Sequence, residues 1–247
     1  MSIKSPEELA GLRAAGAVAR RVLEAMKQAV RPGITTAELD RIGAAVMRKH
    51  GARSAPAAVY RFPGASCISV NEEAVHGIPG PRQLREGDLA KLDVTVEKDG
   101  FKADAAITVP VGVVSDEDEL LVQCAERAFD EAMHFARAGC RLLEIGRAIE
   151  HQVLQSGFSV IRELGGHGIG HTIHEPPSVP NYPDPGANQL LTEGLVITVE
   201  PIIAAGKGKV FVAGDGWTIR TADFRKSAHF EHTLVITKSL PVLLTAA

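Results

Sequence analysis

Cysteine is scarce in this chain: its 247 residues include only Cys67, Cys124 and Cys140, with no CxxC spacing. An odd, scattered set argues against both a zinc ribbon and a disulfide framework. Basic runs are missing too. The lysines and arginines are dispersed, never exceeding a pair such as Arg20-Arg21, and the formal charge is -3. Nothing there suggests a nucleic-acid or membrane-surface footprint. No apolar stretch approaches the length of a membrane span, and the opening Met-Ser-Ile-Lys-Ser-Pro-Glu-Glu has no apolar signal core. The expected compartment is the cytoplasm, with no nucleic-acid and no membrane partner. What is present is ordinary globular material, 45% hydrophobic and 23% charged, enough to bury a sizeable core.

Helix signals come in two pairs. Ser5-Pro6 with Glu8 opens a first helix whose apolar positions, Leu9, Leu12, Ala19, Leu23 and Met26 among them, recur at helical spacing until Pro32-Gly33 ends it. Thr35 and Glu38 form a capping box for a second helix running to about His50-Gly51. A third is expected from Ser115, with acids at its positive end, and a fourth from about Leu142 to Ser156. The pairs resemble each other: Arg137-Ala-Gly139 aligns with Arg31-Pro-Gly33, Glu144 with Glu38, Arg147 with Arg41 and Gly157 with Gly51. The expected fold is therefore α+β, two pseudo-symmetric halves of paired helices and antiparallel strands. No linker divides them, so one domain over 1–247 is expected, with halves of roughly 1–110 and 111–247.

Four carboxylates interrupt runs that otherwise read as buried strand: Asp93, Asp104, Glu200 and Glu231. Burying one unpaired carboxylate is costly, and burying four together is prohibitive unless cations neutralise them. With His167 they form an oxygen-rich set whose charge suits two divalent ions, and paired ions point to hydrolysis. Glu97-Lys-Asp-Gly100 reads as a hairpin turn; centred near Lys98-Asp99, it places Asp93 directly opposite Asp104. His167 lies in Gly165-Gly-His167-Gly-Ile-Gly170, where glycines permit close backbone approach, and His174-Glu-Pro-Pro177 follows. Val75-His76-Gly-Ile-Pro79 is a weaker histidine motif. His171 is ambiguous. The remaining histidines, His50, His134, His151, His229 and His232, read as bland, His232 pointing away from Glu231 across a strand.

Taken in order, His76-Gly-Ile-Pro, Leu-Asp93, Ala-Asp104, Gly-His167-Gly-Ile-Gly, His174-Glu-Pro-Pro, Val-Glu200-Pro and Phe-Glu231-His-Thr resemble the type I methionine aminopeptidases over nearly the whole chain. The length resembles the short bacterial form without a zinc-binding extension, and the short span from His174 to Glu200 leaves no room for the helical insert of the type II enzymes. The resemblance implies the pita-bread fold, a monomer, and nascent-chain N-termini at the ribosome as partners. It implies that Asp93 binds one metal, His167 with Glu200 the other, and that Asp104 and Glu231 bridge both. Glu200 would take the proton of the attacking water, His174 would face the carbonyl oxygen, and His76 the scissile nitrogen. Mostly carboxylate ligation favours Mn(II), Fe(II) or Co(II).

The departures lie at the side-chain pocket. Phe62, Cys67 and Trp217 match its expected positions, while Val59 and Ile173 replace aromatic residues and are expected to widen it. Tyr60 could swing in to compensate, though strand alternation through Ala58–Pro63 argues against it. Ala105 and Ala106 stand where hydroxyl residues often follow the bridging aspartate. Two other readings stay open: a proline-directed relative, for which the chain leaves no room for the usual N-terminal domain, and a catalytically silent binding module of the same fold.

Overall fold

The structure is a computed structural model describing residues 1–246; Ala247, the last residue of the expected domain, lies outside the described residues. Helix α1 covers Pro6–Ala29, α2 Thr36–Lys49, α3 Ala55–Tyr60, α4 Asp116–Met133 and α5 Leu142–Gln155. The caps work as their residue types dictate. Ser5 Oγ accepts from the Glu8 amide, and Ser115 Oγ from the Asp118 amide. Thr35 and Glu38 satisfy each other's backbone in a complete capping box. No helix among the described residues is long and apolar enough to cross a membrane.

A nine-stranded sheet carries the fold. Its main path runs, in spatial order, through strands Arg53–Ser54, Leu89–Lys98, Phe101–Pro110, Glu231–Val235, Val196–Val199, Gly165–Gly168 and Glu175–Pro180; Cys67–Val70 pairs with Leu89–Lys98, and Val242–Leu243 with Glu231–Val235. Alternation sorts the side chains by face. Leu92, Val94 and Val96 join Val18, Val22 and Met26 of α1 and Met47 of α2 in one apolar cluster. Ile197, Val199 and Leu234 join Leu121 and Phe129 of α4 and Ile145 and Ile149 of α5 in another. Each fully buried residue of this size contributes about 1.5–3 kcal/mol, so the helix pairs fix which face of the sheet is covered. Asp93, Thr95, Thr198 and Thr233 point the other way.

Two local expectations need correction. The hairpin turns at Asp99-Gly100, both with positive φ (50° and 84°), because that two-residue geometry matches the twist of the flanking strands. The register consequently pairs Asp93 with Ala106 and Thr95 with Asp104. The two aspartates share a face but stand diagonally. Second, the segment before the strand Cys67–Val70 is helical, not extended. Ser54 Oγ accepts from the Ala57 amide, Pro56 suits the first turn, and Arg61 in the left-handed region (φ 59°) closes it. So short a helix shows no apolar periodicity; the Ser54-Ala-Pro56 cap was its only signal.

Candidate metal centre and the cleft above it

Five neighbouring strands each bring one metal-ligand candidate to the uncovered face. In spatial order these are Asp93, Asp104, Glu231, then Glu200 one residue past Val196–Val199, then His167. Asp93 and Glu231 both stand opposite Ala106, one on each side. A methyl group there leaves space between the two carboxylates. Asp104, His167 and Glu231 form one group with ligand atoms within 4.8 Å of one another, and Glu200, His229 and Glu231 form a second. Asp93 belongs to neither group but lines the same cleft.

Hydroxyl side chains orient the carboxylates. Thr95 Oγ1 donates to Asp104 Oδ2 at 2.9 Å, and Thr198 Oγ1 donates to Glu200 Oε1 at 3.0 Å while accepting from the His167 amide at 3.0 Å. Thr233 Oγ1 exchanges hydrogen bonds with the Asp104 backbone, both at 2.8 Å. Thr95 thus supplies the donor that Ala105 and Ala106 lack. His167 Nδ1 lies 2.9 Å from Gly168 O, so it carries the proton and Nε2 presents its lone pair toward Glu200 Oε1 (3.6 Å) and Asp104 Oδ2 (4.0 Å).

Burial, then mutual repulsion, pushes the Asp93, Glu200 and Glu231 carboxyls well above their usual range. Asp104 rises to about 6, burial outweighing its hydrogen bond from Thr95. Burial lowers His167, and burial with the neighbouring imidazole lowers His174 and His76. Asp104 Oδ1 and Glu231 Oε1 are buried without any hydrogen-bond partner. Orphaned carboxylate oxygens converging at this spacing fit a hard or borderline divalent cation.

Two glycines let the His167 strand seat so closely. A Cβ on Gly166 would stand 2.4 Å from Thr198 O, and one on Gly168 2.3 Å from Pro176 O. Gly168→Ala should therefore push Gly165–Gly168 off its neighbours and cost about 1–3 kcal/mol, read as a lowered thermal midpoint.

Above the carboxylates opens a cleft of about 700 Å³ lined by Tyr60, Phe62, Cys67, His76, Ile173, His174 and Trp217 among others. His76 has positive φ (59°), and Phe62 meets Trp217 edge-to-face with ring centroids 5.3 Å apart. The five metal-ligand candidates, His76, His174 and the pocket residues Phe62, Cys67 and Trp217 all line this cleft. Val59 does not: it is exposed on α3 and forms no part of the cleft wall. Ile173 does line the wall and is buried. Tyr60, expected to point away, instead places its hydroxyl 2.7 Å from His174 Nδ1, because α3 is a helix.

His229, read as bland, is the second correction at the site. It is buried, its Nε2 lies 3.5 Å from Glu231 Oε2 and 3.7 Å from Glu200 Oε2, and burial, with Lys91 and His76 nearby, lowers its pKa to about 3. The available signal was its two-residue spacing from Glu231, which puts both on one face of an extended segment. Lys91 is buried behind it, donating to Ser227 O at 3.1 Å and Asn71 O at 2.7 Å and lowered by burial to about 7. His232 points away, as expected, with Nδ1 2.8 Å from Thr245 Oγ1.

Comparison with known proteins agrees with this geometry. Residues 10–238 match the model of metallopeptidase family M24. The chain is 44% identical over 247 residues to methionine aminopeptidase 2 of Bacillus subtilis, covering 99% of each, and 42% identical to the methionine aminopeptidase of Clostridium perfringens, covering 98% of each. Among solved structures, the methionine aminopeptidase of Thermotoga maritima superposes with a TM-score of 0.97 at 34% identity, covering the whole of both chains. The prolidase of Pyrococcus furiosus, at 21% identity and a TM-score of 0.80, shares the fold; the match covers 99% of this chain and 65% of the prolidase. By full-length identity and by a cleft whose floor carries converging carboxylates, the chain belongs to metallopeptidase family M24, among its methionine aminopeptidases.

Proposed function

We propose that this chain hydrolyses the first peptide bond of nascent polypeptides in the cytosol, releasing methionine, at a centre of two divalent ions held by Asp93, Asp104, His167, Glu200 and Glu231. The observation that carries the reading is the convergence of these five side chains from five neighbouring strands beneath His76 and His174. As a family M24 metallopeptidase the chain depends on divalent metal; the carboxylate-rich set suits Mn(II), Fe(II) or Co(II). When bound, such ions acidify a water and polarise a carbonyl.

The protein's own groups do the rest. Glu200, oriented by Thr198, accepts the proton of the attacking water, a task suited to a positioned carboxylate. His174 donates to the carbonyl oxygen as negative charge develops there. For that donation its proton must sit on Nε2, and the Tyr60 hydroxyl, donating to Nδ1, holds that tautomer. His76 faces the scissile nitrogen. Phe62, Cys67, Trp217 and Ile173 form the wall for the methionine thioether, which packs well against aromatic edges. The paired helices α1/α2 and α4/α5 support reading the domain as one internal duplication.

The test is a kinetic panel on peptides varying the first residue of Xaa-Ala-Ser, with Mn(II), Fe(II) or Co(II) added to chelated protein. Met-Ala-Ser should be cleaved in preference to the Leu, Ala and Pro analogues. Preference for another first residue would overturn the methionine assignment and leave the mechanism standing. Tyr60→Phe should lower kcat roughly tenfold with KM nearly unchanged, the size expected when a partner that orients a functional imidazole is lost; steady-state kinetics on Met-Ala-Ser reads it.

A further inference from the structure

We propose that His229 is itself a metal-holding side chain, forming with Glu200 and Glu231 a second three-residue seat beside that of Asp104, His167 and Glu231. The inference rests on the two-ion reading above and adds a residue outside the five-ligand set.

His229 is 2% exposed, and neither ring nitrogen has a hydrogen-bond partner. A neutral imidazole has one donor and one acceptor nitrogen, and a buried one ordinarily meets both needs. Its position is not slack. The backbone is pinned on both sides by Thr108, whose hydroxyl accepts from the His229 amide and donates to its carbonyl, each at 2.8 Å. The ring is aimed at two carboxylate oxygens, Glu231 Oε2 at 3.5 Å and Glu200 Oε2 at 3.7 Å.

Those separations are too long for good N–H···O bonds. They lie close to another relation: two donor atoms that would share one divalent ion at ~2.1 Å each stand roughly 3.0–3.4 Å apart. His167 stands in the same relation on the other side, its Nε2 3.6 Å from Glu200 Oε1. Glu200 thus offers one oxygen to each imidazole, and Glu231 belongs to both seats. The arrangement supplies two imidazoles to the pair of ions, where the five-ligand set supplies one.

The test is cobalt X-ray absorption on the full-length protein loaded with two equivalents of Co(II), where bound imidazole gives characteristic multiple scattering. The expected count is one imidazole per cobalt in the wild type, falling to one half in His229→Gln, with the second equivalent bound at least about tenfold more weakly by calorimetric titration. Glutamine keeps an N–H donor at this position, so a role limited to hydrogen-bonding the carboxylates would survive the change. One half imidazole per cobalt in the wild type, which needs no variant to fold, would overturn the proposal. So would an unchanged count in His229→Gln, with the circular dichroism melt confirming its fold. Failure of the two-ion reading itself looks different: the wild type would bind fewer than two equivalents, or His167→Gln would leave the imidazole count unaltered.

Discussion

Replacing Asp104 with alanine should abolish hydrolysis of Met-Ala-Ser, lowering kcat/KM by at least roughly 10³-fold, or about 4 kcal/mol of transition-state stabilisation. Asp104 occupies the middle of the cluster: it lies between the strands bearing Asp93 and Glu231, receives the Thr95 hydroxyl, and faces His167. No carboxylate on its own strand or directly opposite can take its place, because its opposite residue is Thr95 and the residue two along its strand is Ala106. Added Mn(II) or Co(II) should restore activity to the chelated wild type and not to Asp104→Ala. Calorimetric titration of the variant should show a lost or much weakened equivalent. Substantial activity in metal-loaded Asp104→Ala would remove this residue from the centre.

The stabilisation that metal confers on the fold should grow as pH rises. The sign follows from the carboxyls. In the metal-free fold Asp93, Asp104, Glu200 and Glu231 all have raised pKa values, so the folded state holds protons that the unfolded chain has released. Their contribution is fully present below the ordinary carboxylate range and is lost as pH climbs through the folded values. For Asp104 that window runs from about 4 to about 6, the other three extending it upward. A rise of that size for Asp104 corresponds to about 3 kcal/mol between the two ends of its window. The lowered imidazoles of His229, His167, His174 and His76 give the opposite slope over the same range, so the quantity to read is the difference between loaded and chelated protein. Metal binds the ionised carboxylates and releases their protons, so the melting midpoint gained on adding it should be several degrees larger at pH 8 than at pH 5.5. Calorimetric melts across pH, with and without metal, read this gain; a gain no larger at pH 8 than at pH 5.5 would show that the four carboxylates are not crowded in solution.

Much of this was legible from residues alone, and the reasons are local. The caps at Ser5, Thr35 and Ser115 bond within their own first turns, so the helix starts needed no tertiary knowledge. The four carboxylates stood out because each broke an apolar run, and burial cost is a property of a short segment and its charge. The hairpin between Asp93 and Asp104 was recognisable, but its register was not: moving the turn from Lys98-Asp99 to Asp99-Gly100 changes which residues face each other, and φ at Asp99 decides it. Tyr60 and His229 were missed for a different reason. Tyr60 reaches His174 across 114 residues of sequence, and only the short turn of α3 aims it there. His229 gains its meaning from Glu200 as much as from its neighbour Glu231.

The sequence by itself singled out the four carboxylates and His167, the helix pairs and the face of each strand to be covered, because those depend on spacing within a segment. Strand order belongs to the tertiary structure alone. The strand bearing Glu231 inserts between those bearing Asp104 and Glu200, although the Glu231 strand comes last of these in the chain. That order sets five scattered side chains in one row and turns His229 and Tyr60 toward them. It is decided by how two helix-covered apolar faces close into one sheet, a competition among long-range pairings that no single segment's pattern contains.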